Sequence, residues 1–123
     1  MRAPYARILA VFALAVWPLL LSAGSPAQTS EPQKVTISAH KFAFQPDRIE
    51  VKAGQPVEIS LVSEDTKHGF SCKGLGVDGV VFDKKHPGTV TFTPAKAGTY
   101  PFKCAHFCGL GHSKMKGEIV VTP

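Results

Sequence analysis

After residue 27 the apolar residues of this chain fall at every second position, in short runs cut by proline and glycine, and nowhere at the spacing of a helix. Val35, Ile37 and Ala39 lie on one side of an extended segment and Thr36 and Ser38 on the other, and Phe42 and Phe44 repeat the period. Pro46-Asp47 breaks the run, Ile49 and Val51 resume it, and Ala53-Gly54-Gln55-Pro56 turns the chain before Val57, Ile59 and Leu61. Val90 and Phe92 alternate with Thr89, Thr91 and Thr93. Tyr100, Phe102 and Cys104 share one side of the next run, and Glu118 to Val121 closes the chain. From Asp65 to Pro87 the pattern weakens into a glycine-spaced connection with one apolar stretch, Val80 to Phe82. A strand that is apolar on one side must bury that side against a second layer. About seven such segments at turn spacings of about 8–12 residues therefore predict an all-β sandwich of two sheets. The prolines after residue 27 sit mostly at the breaks, as strands require.

The N-terminal segment follows a different rule. Met1 to Arg7 carries two arginines and no acid, Ile8 to Leu21 is apolar throughout, and Ser22 to Ala27 is small and weakly polar. That order is the order of a secretory signal peptide, expected over residues 1–27 with cleavage after Gly24 or Ala27. The alternative is a retained membrane anchor, for which the apolar run is short against the roughly 20 residues of a spanning helix. Residues 28–33 form a polar tether and residues 34–123 one domain, enough chain for a single core and too little for two. The expected location is periplasmic or otherwise exported, with no membrane span in the mature chain.

Beyond the signal, 12 basic residues face 9 acidic ones. The basic residues stand singly except for Lys84-Lys85, which excludes the basic stripe of a nucleic-acid binder. Three cysteines, Cys72, Cys104 and Cys108, cannot all pair within one exported chain. Either one disulfide leaves a stray thiol, or a metal keeps two of them as thiolates.

The segment Cys104-Ala105-His106-Phe107-Cys108-Gly109-Leu110-Gly111-His112-Ser113-Lys114-Met115 favours metal. It holds five possible ligands in twelve residues: two thiols, a thioether and two imidazoles. Gly109 and Gly111 let the backbone turn tightly, so that groups four residues apart can converge. Two histidines, a cysteine and a weak axial methionine form the ligand set of copper electron-transfer sites. Cys108, His112 and Met115 supply three of these, and His68, in His68-Gly69-Phe70 after the Val57 to Val62 strand, is the candidate for the fourth.

The pattern Cys104-x-x-x-Cys108-x-x-x-His112-x-x-Met115, with His68 upstream, resembles the copper A domain of cytochrome c oxidase subunit II and nitrous oxide reductase. The turns at Ala53-Gly54 and Lys96-Ala97-Gly98-Thr99-Tyr100 are similar to that family as well, so the likeness spans nearly all of the mature chain. It implies a cupredoxin-like Greek-key β-sandwich holding two copper ions bridged by the thiolates of Cys104 and Cys108. His68 and His112 would each terminate one copper, Met115 would be a weak ligand, and the backbone carbonyl of His106 another. The chain departs from the family where the oxidases carry glutamate and it has His106, and its one tryptophan, Trp17, lies in the signal. It also has no transmembrane hairpin, so the expectation is a stand-alone exported protein and not an oxidase subunit.

Other readings stay beside this one. His106 stays in the candidate set, because its ring could be exposed or could bind copper, and exposure is the favoured expectation. Cys104 and Cys108 could form a local disulfide, or join His112 and His68 in a closed zinc site that would leave Met115 without a role. A thioredoxin-like chaperone or reductase would need its cysteine pair ahead of a helix, and no helix follows Cys108. Cys72 reads as a buried free thiol, and His40 and His86 as solvated. No nucleophile, general base or substrate pocket is apparent. The expected function is therefore one-electron transfer by a copper protein that is no enzyme, toward a redox protein partner. The alternative is a periplasmic copper chaperone or storage protein with a copper-receiving partner.

Overall fold

A computed structural model describes residue 24 and residues 30–123. The expected signal segment, apart from Gly24, lies outside the described residues. Among the described residues nine strands follow one another: β1 (Gln33–His40), β2 (Ala43–Gln45), β3 (Arg48–Lys52), β4 (Val57–Ser63), β5 (His68–Cys72), β6 (Val77–Phe82), β7 (Gly88–Phe92), β8 (Gly98–Lys103) and β9 (Lys116–Thr122). Two single 3₁₀ turns, Lys73–Leu75 and His112–Lys114, are the only helical elements among the described residues. None is long and apolar enough to cross a membrane. β1 takes in Gln33, the last residue of the expected tether.

The strands form two sheets, ordered β2-β1-β4-β7 and β3-β9-β8-β5-β6. The chain changes sheet five times, after β2, β3, β4, β6 and β7, which gives the two-sheet sandwich that the alternation predicts with the Greek-key crossings that the resemblance implies. In the first sheet β1 runs parallel to β4, with Ile37 beside Leu61, and Ile59 of β4 faces Val90 of antiparallel β7. In the second, β3 runs parallel to β9 with Ile49 beside Ile119. β4 shows why the sheets stack: Val57, Ile59 and Leu61 are buried while Glu58, Ser60 and Val62 between them are only half-buried. Each of the first three removes about 1.5–3 kcal/mol of apolar surface cost by that burial.

Two strands lie where the sequence shows only a connection. β5 is buried along its whole length, so neither of its faces meets water and no alternation marks it. β6 extends the expected Val80 to Phe82 stretch back to Val77, through Gly79 at φ 71°.

Alternation within β5 and β8 ties the core to the end where the chemistry lies. Phe70 and His68 share a face of β5, and Phe102 and Cys104 share a face of the β8 run. Phe70 and Phe102 are in ring contact with centroids 5.0 Å apart, and Phe44 packs edge-on against Phe102 at 5.3 Å. Aromatic pairs of this kind add about 0.5–1.5 kcal/mol each beyond their buried area. His68 and Cys104 therefore stand two residues along from a fixed aromatic floor.

Candidate metal centre

Residues 104–115 leave β8 and return as β9, and the neck of that loop is closed by the backbone. Lys103 pairs with Lys116, and the Cys104 N–H donates to the Met115 carbonyl at 3.0 Å. Inside the loop, the His112 N–H donates to the Gly109 carbonyl at 3.1 Å and the Met115 N–H to the His112 carbonyl at 3.1 Å. Gly109 stands at φ 141°, where side chains other than glycine's are strained. The loop rests on the ring of Phe42: a Cβ at Gly109 would come within 2.9 Å of it, and one at Gly111 closer still.

This folding gathers the donors. The Cys108 sulfur lies 4.0 Å from the Cys104 sulfur, 3.8 Å from the Met115 thioether and 3.9 Å from Nδ1 of His112. The Cys104 thiol points at the His106 carbonyl, 3.1 Å away. Neither cysteine is in a disulfide, and Cys104, Cys108 and Met115 are all buried. One ring nitrogen of His68 and the two cysteine sulfurs lie within 4.8 Å of one another.

His68 comes from the other side, as the first residue of β5, and its side chain is wholly buried. The Gly69 N–H donates to the Cys104 sulfur at 3.5 Å. A Cβ on Gly69 would stand 2.6 Å from the His106 nitrogen, so only glycine lets β5 come this near the loop. Nε2 of His68 donates to Oδ1 of Asp65 at 2.7 Å. A neutral imidazole whose Nε2 carries the proton presents a lone pair at Nδ1. That Nδ1 is buried and has no hydrogen-bond partner. A buried acceptor left this way costs about 1–3 kcal/mol, a cost that a metal ion would remove. Soft sulfur, a thioether and an oriented imidazole around one point are the donors that copper selects, so the residues present fit that metal.

Charge is arranged to match. Burial works against ionisation of Asp65, but the Lys41 N–H, the His68 ring and the Thr66 N–H all donate to its carboxylate and hold its pKa down at about 2. Asp65 thus stays an acceptor and fixes the His68 tautomer. Burial first, then the neighbouring Cys104 sulfur, push the Cys108 thiol up to about 11. At neutral pH the metal-free thiol keeps its proton, and a metal must displace it to bind.

Of the candidate residues, the structure brings together His68, Cys104, Cys108, His112 and Met115. The His106 carbonyl faces the cluster, while its half-buried ring has an Nδ1 with no hydrogen-bond partner. Cys72 is a buried free thiol on β5 and stands outside the cluster, with its pKa raised by burial. His86 is exposed and bonded to Asp83, whereas His40 is only half-exposed, with Nδ1 3.9 Å from Glu64. Sequence reasoning missed Asp65 and Phe42. The three-residue spacing of Asp65 and His68 around a turn was the signal available for the first; Phe42 left none.

The fold and this donor set define a copper-type β-sandwich, and the chain belongs to the cupredoxin-like domain family, whose model matches residues 10–121. The chain is 38% identical over 90 residues to subunit 2 of cytochrome c oxidase from Thermus thermophilus, a match covering 71% of this chain and 64% of that subunit. It is 31% identical over 75 residues to nitrous-oxide reductase of Pseudomonas fluorescens, covering 58% of this chain and 12% of the reductase. This chain thus spans less than two thirds of the length of these relatives. Among solved structures, the periplasmic domain of cytochrome oxidase subunit II from Bradyrhizobium japonicum superposes with a TM-score of 0.68 at 16% identity, over 76% of this chain and 87% of that one. That last likeness concerns the fold alone.

Proposed function

We propose that this protein is an exported one-electron carrier with a dinuclear, copper A-like site, and not an enzyme. The observation that carries the reading is the pair of buried thiols 4.0 Å apart, flanked by His112 and Met115 and faced by a wholly buried His68 whose Nδ1 has no partner. Two thiols this close suit a shared bridge better than a site for one ion, which needs only one of them. The oxidase and reductase relatives support the same reading.

Copper bound here would supply the one-electron chemistry. The chain's own part is to keep the donors still. Asp65 holds the His68 ring, β8 and β9 clamp the two ends of the loop, and Phe42 supports its glycines. A site that need not rearrange passes an electron with little geometric cost. Burial of both sulfurs excludes water, while His112 is only half-buried and offers a route to a redox partner. A periplasmic chaperone would use the same residues but release its metal.

The test is to load the purified protein with copper and measure metal per chain together with visible and paramagnetic spectra. Two copper ions per chain with one unpaired electron shared between them is the expected result. One copper per chain overturns the dinuclear reading. Rapid transfer of the metal to a competing copper-free protein during redox cycling overturns the carrier reading in favour of the chaperone.

A further inference from the structure

Three lysines, Lys73, Lys103 and Lys116, line one hollow on the outer face of the second sheet. The period of two places two of them: Phe102 and Cys104 turn inward, so Lys103 turns outward, and Lys116 does the same beside inward Met115. Phe70 and Cys72 are buried in the core with Ser71 between them, and Lys73 opens the 3₁₀ turn that follows and lines the same hollow. The register then lines them up, since Ser71 of β5 pairs with Lys103 of β8 and Lys103 with Lys116 of β9. With Gly74, Pro101 and Phe102, these residues wall a surface hollow of about 310 Å³.

Like charges set directly opposite on neighbouring strands destabilise a sheet. Here Lys103 and Lys116 are such a pair, and none of the three lysines forms an ion pair among the described residues. One carboxylate reaches the wall of the hollow, and against it the three lysines leave a net positive charge. Asp78 accepts from the Ser71 hydroxyl at 3.1 Å, and Glu118 pairs with Arg48. The hollow therefore concentrates positive charge over a floor that Phe102, Pro101 and Gly74 make apolar. Lysine ammonium groups around such a hollow bind oxyanions as point charges.

We propose that this hollow is an oxyanion-binding site, in which Lys73, Lys103 and Lys116 hold a phosphate or carboxylate group. It lies on the outer face of the sheet, turned away from the donor cluster, and requires no metal. Its volume accommodates a free phosphate, a small polycarboxylate or the headgroup of an anionic lipid.

The experiment uses the ¹⁵N-labelled 123-residue chain, metal-free, at low ionic strength. Inorganic phosphate and citrate are titrated against chloride at matched ionic strength, and binding to phosphatidylcholine vesicles containing phosphatidylglycerol is measured in parallel. Saturable shifts confined to the amides of Ser71, Lys73, Lys103 and Lys116 are expected with phosphate or citrate. The variant K103Q/K116Q, which alters only outward side chains, should bind about tenfold more weakly, since two of three charges are gone. The free-anion arm and the vesicle arm tell a soluble ligand from a lipid headgroup, according to which one the variant weakens. Equal binding by parent and variant to every probe, or shifts that chloride reproduces, overturns the site.

Discussion

The candidate centre is built from two regions that obey different rules. On one side His68 is a strand residue, wholly buried, bonded through Nε2 to Asp65, with the ring of Phe82 6.2 Å from its own. On the other, Cys104, Cys108, His112 and Met115 belong to a loop whose shape comes from two glycines, a 3₁₀ turn and the ring of Phe42. The strand supplies one donor with almost no freedom. The loop supplies four whose relative positions depend on a few backbone bonds. Rigidity is thus supplied by the sheet, whereas the choice of metal comes from the loop, and the two can be perturbed separately.

The largest expected effect falls on the loop. Either Cys104→Ser or Cys108→Ser should abolish the dinuclear signal, since a hydroxyl cannot replace a bridging thiolate, and a mutant that kept two coupled coppers would disprove the bridge. On the strand side, Gly69→Ala should force a Cβ to within 2.6 Å of the His106 nitrogen. Overpacking of this kind costs about 1–3 kcal/mol. Thermal unfolding should show Tm falling by about 4–8 °C for each of them, and an unchanged Tm would mean that the loop yields freely to β5.

Smaller effects sharpen the contrast. Asp65→Ala removes the carboxylate that fixes the His68 ring, so copper affinity in a competition titration should fall about 10–100-fold while the spectrum keeps its form. Asp65→Asn should lose less, because its side-chain carbonyl can still accept from Nε2. Met115→Leu should keep its copper and raise the reduction potential, read by voltammetry, as expected for a weak axial thioether. Complete loss of copper would make Met115 a principal ligand. The smallest change is expected from His106→Ala: with only the carbonyl facing the cluster, stoichiometry and visible spectrum should match the parent, and loss of one copper would bring the ring into the ligand set.

What could be read from sequence follows the same division. Strands with one face in the core, such as β4, announce themselves by alternation, because the pattern records a boundary between protein and water. β5 has no such boundary, so its five residues read as part of a loop. The loop donors were legible because they are neighbours in the chain and their chemistry is local. His68 was reached only through its position after a strand and beside Gly69-Phe70. Asp65 looked like an ordinary turn acid. Phe42 looked like a strand residue paired in period with Phe44, but it stands in the turn between β1 and β2, and its role under Gly109 and Gly111 exists only through contact across some seventy residues of chain. Tertiary approach of distant segments leaves no periodic trace.

The closed neck of the loop has a consequence for how such a protein can change. Lys103 beside Lys116 and the Cys104–Met115 backbone bond bring the ends of the segment together before any donor is placed. The entropy of closing it is therefore charged to the hairpin, and doubling the length of a flexible loop adds only about 0.6 kcal/mol. Residues between the two ends can be inserted, deleted or exchanged while the sheets keep their register. The sandwich acts as a socket, and ancestry can write different metal chemistries into it without refolding the rest.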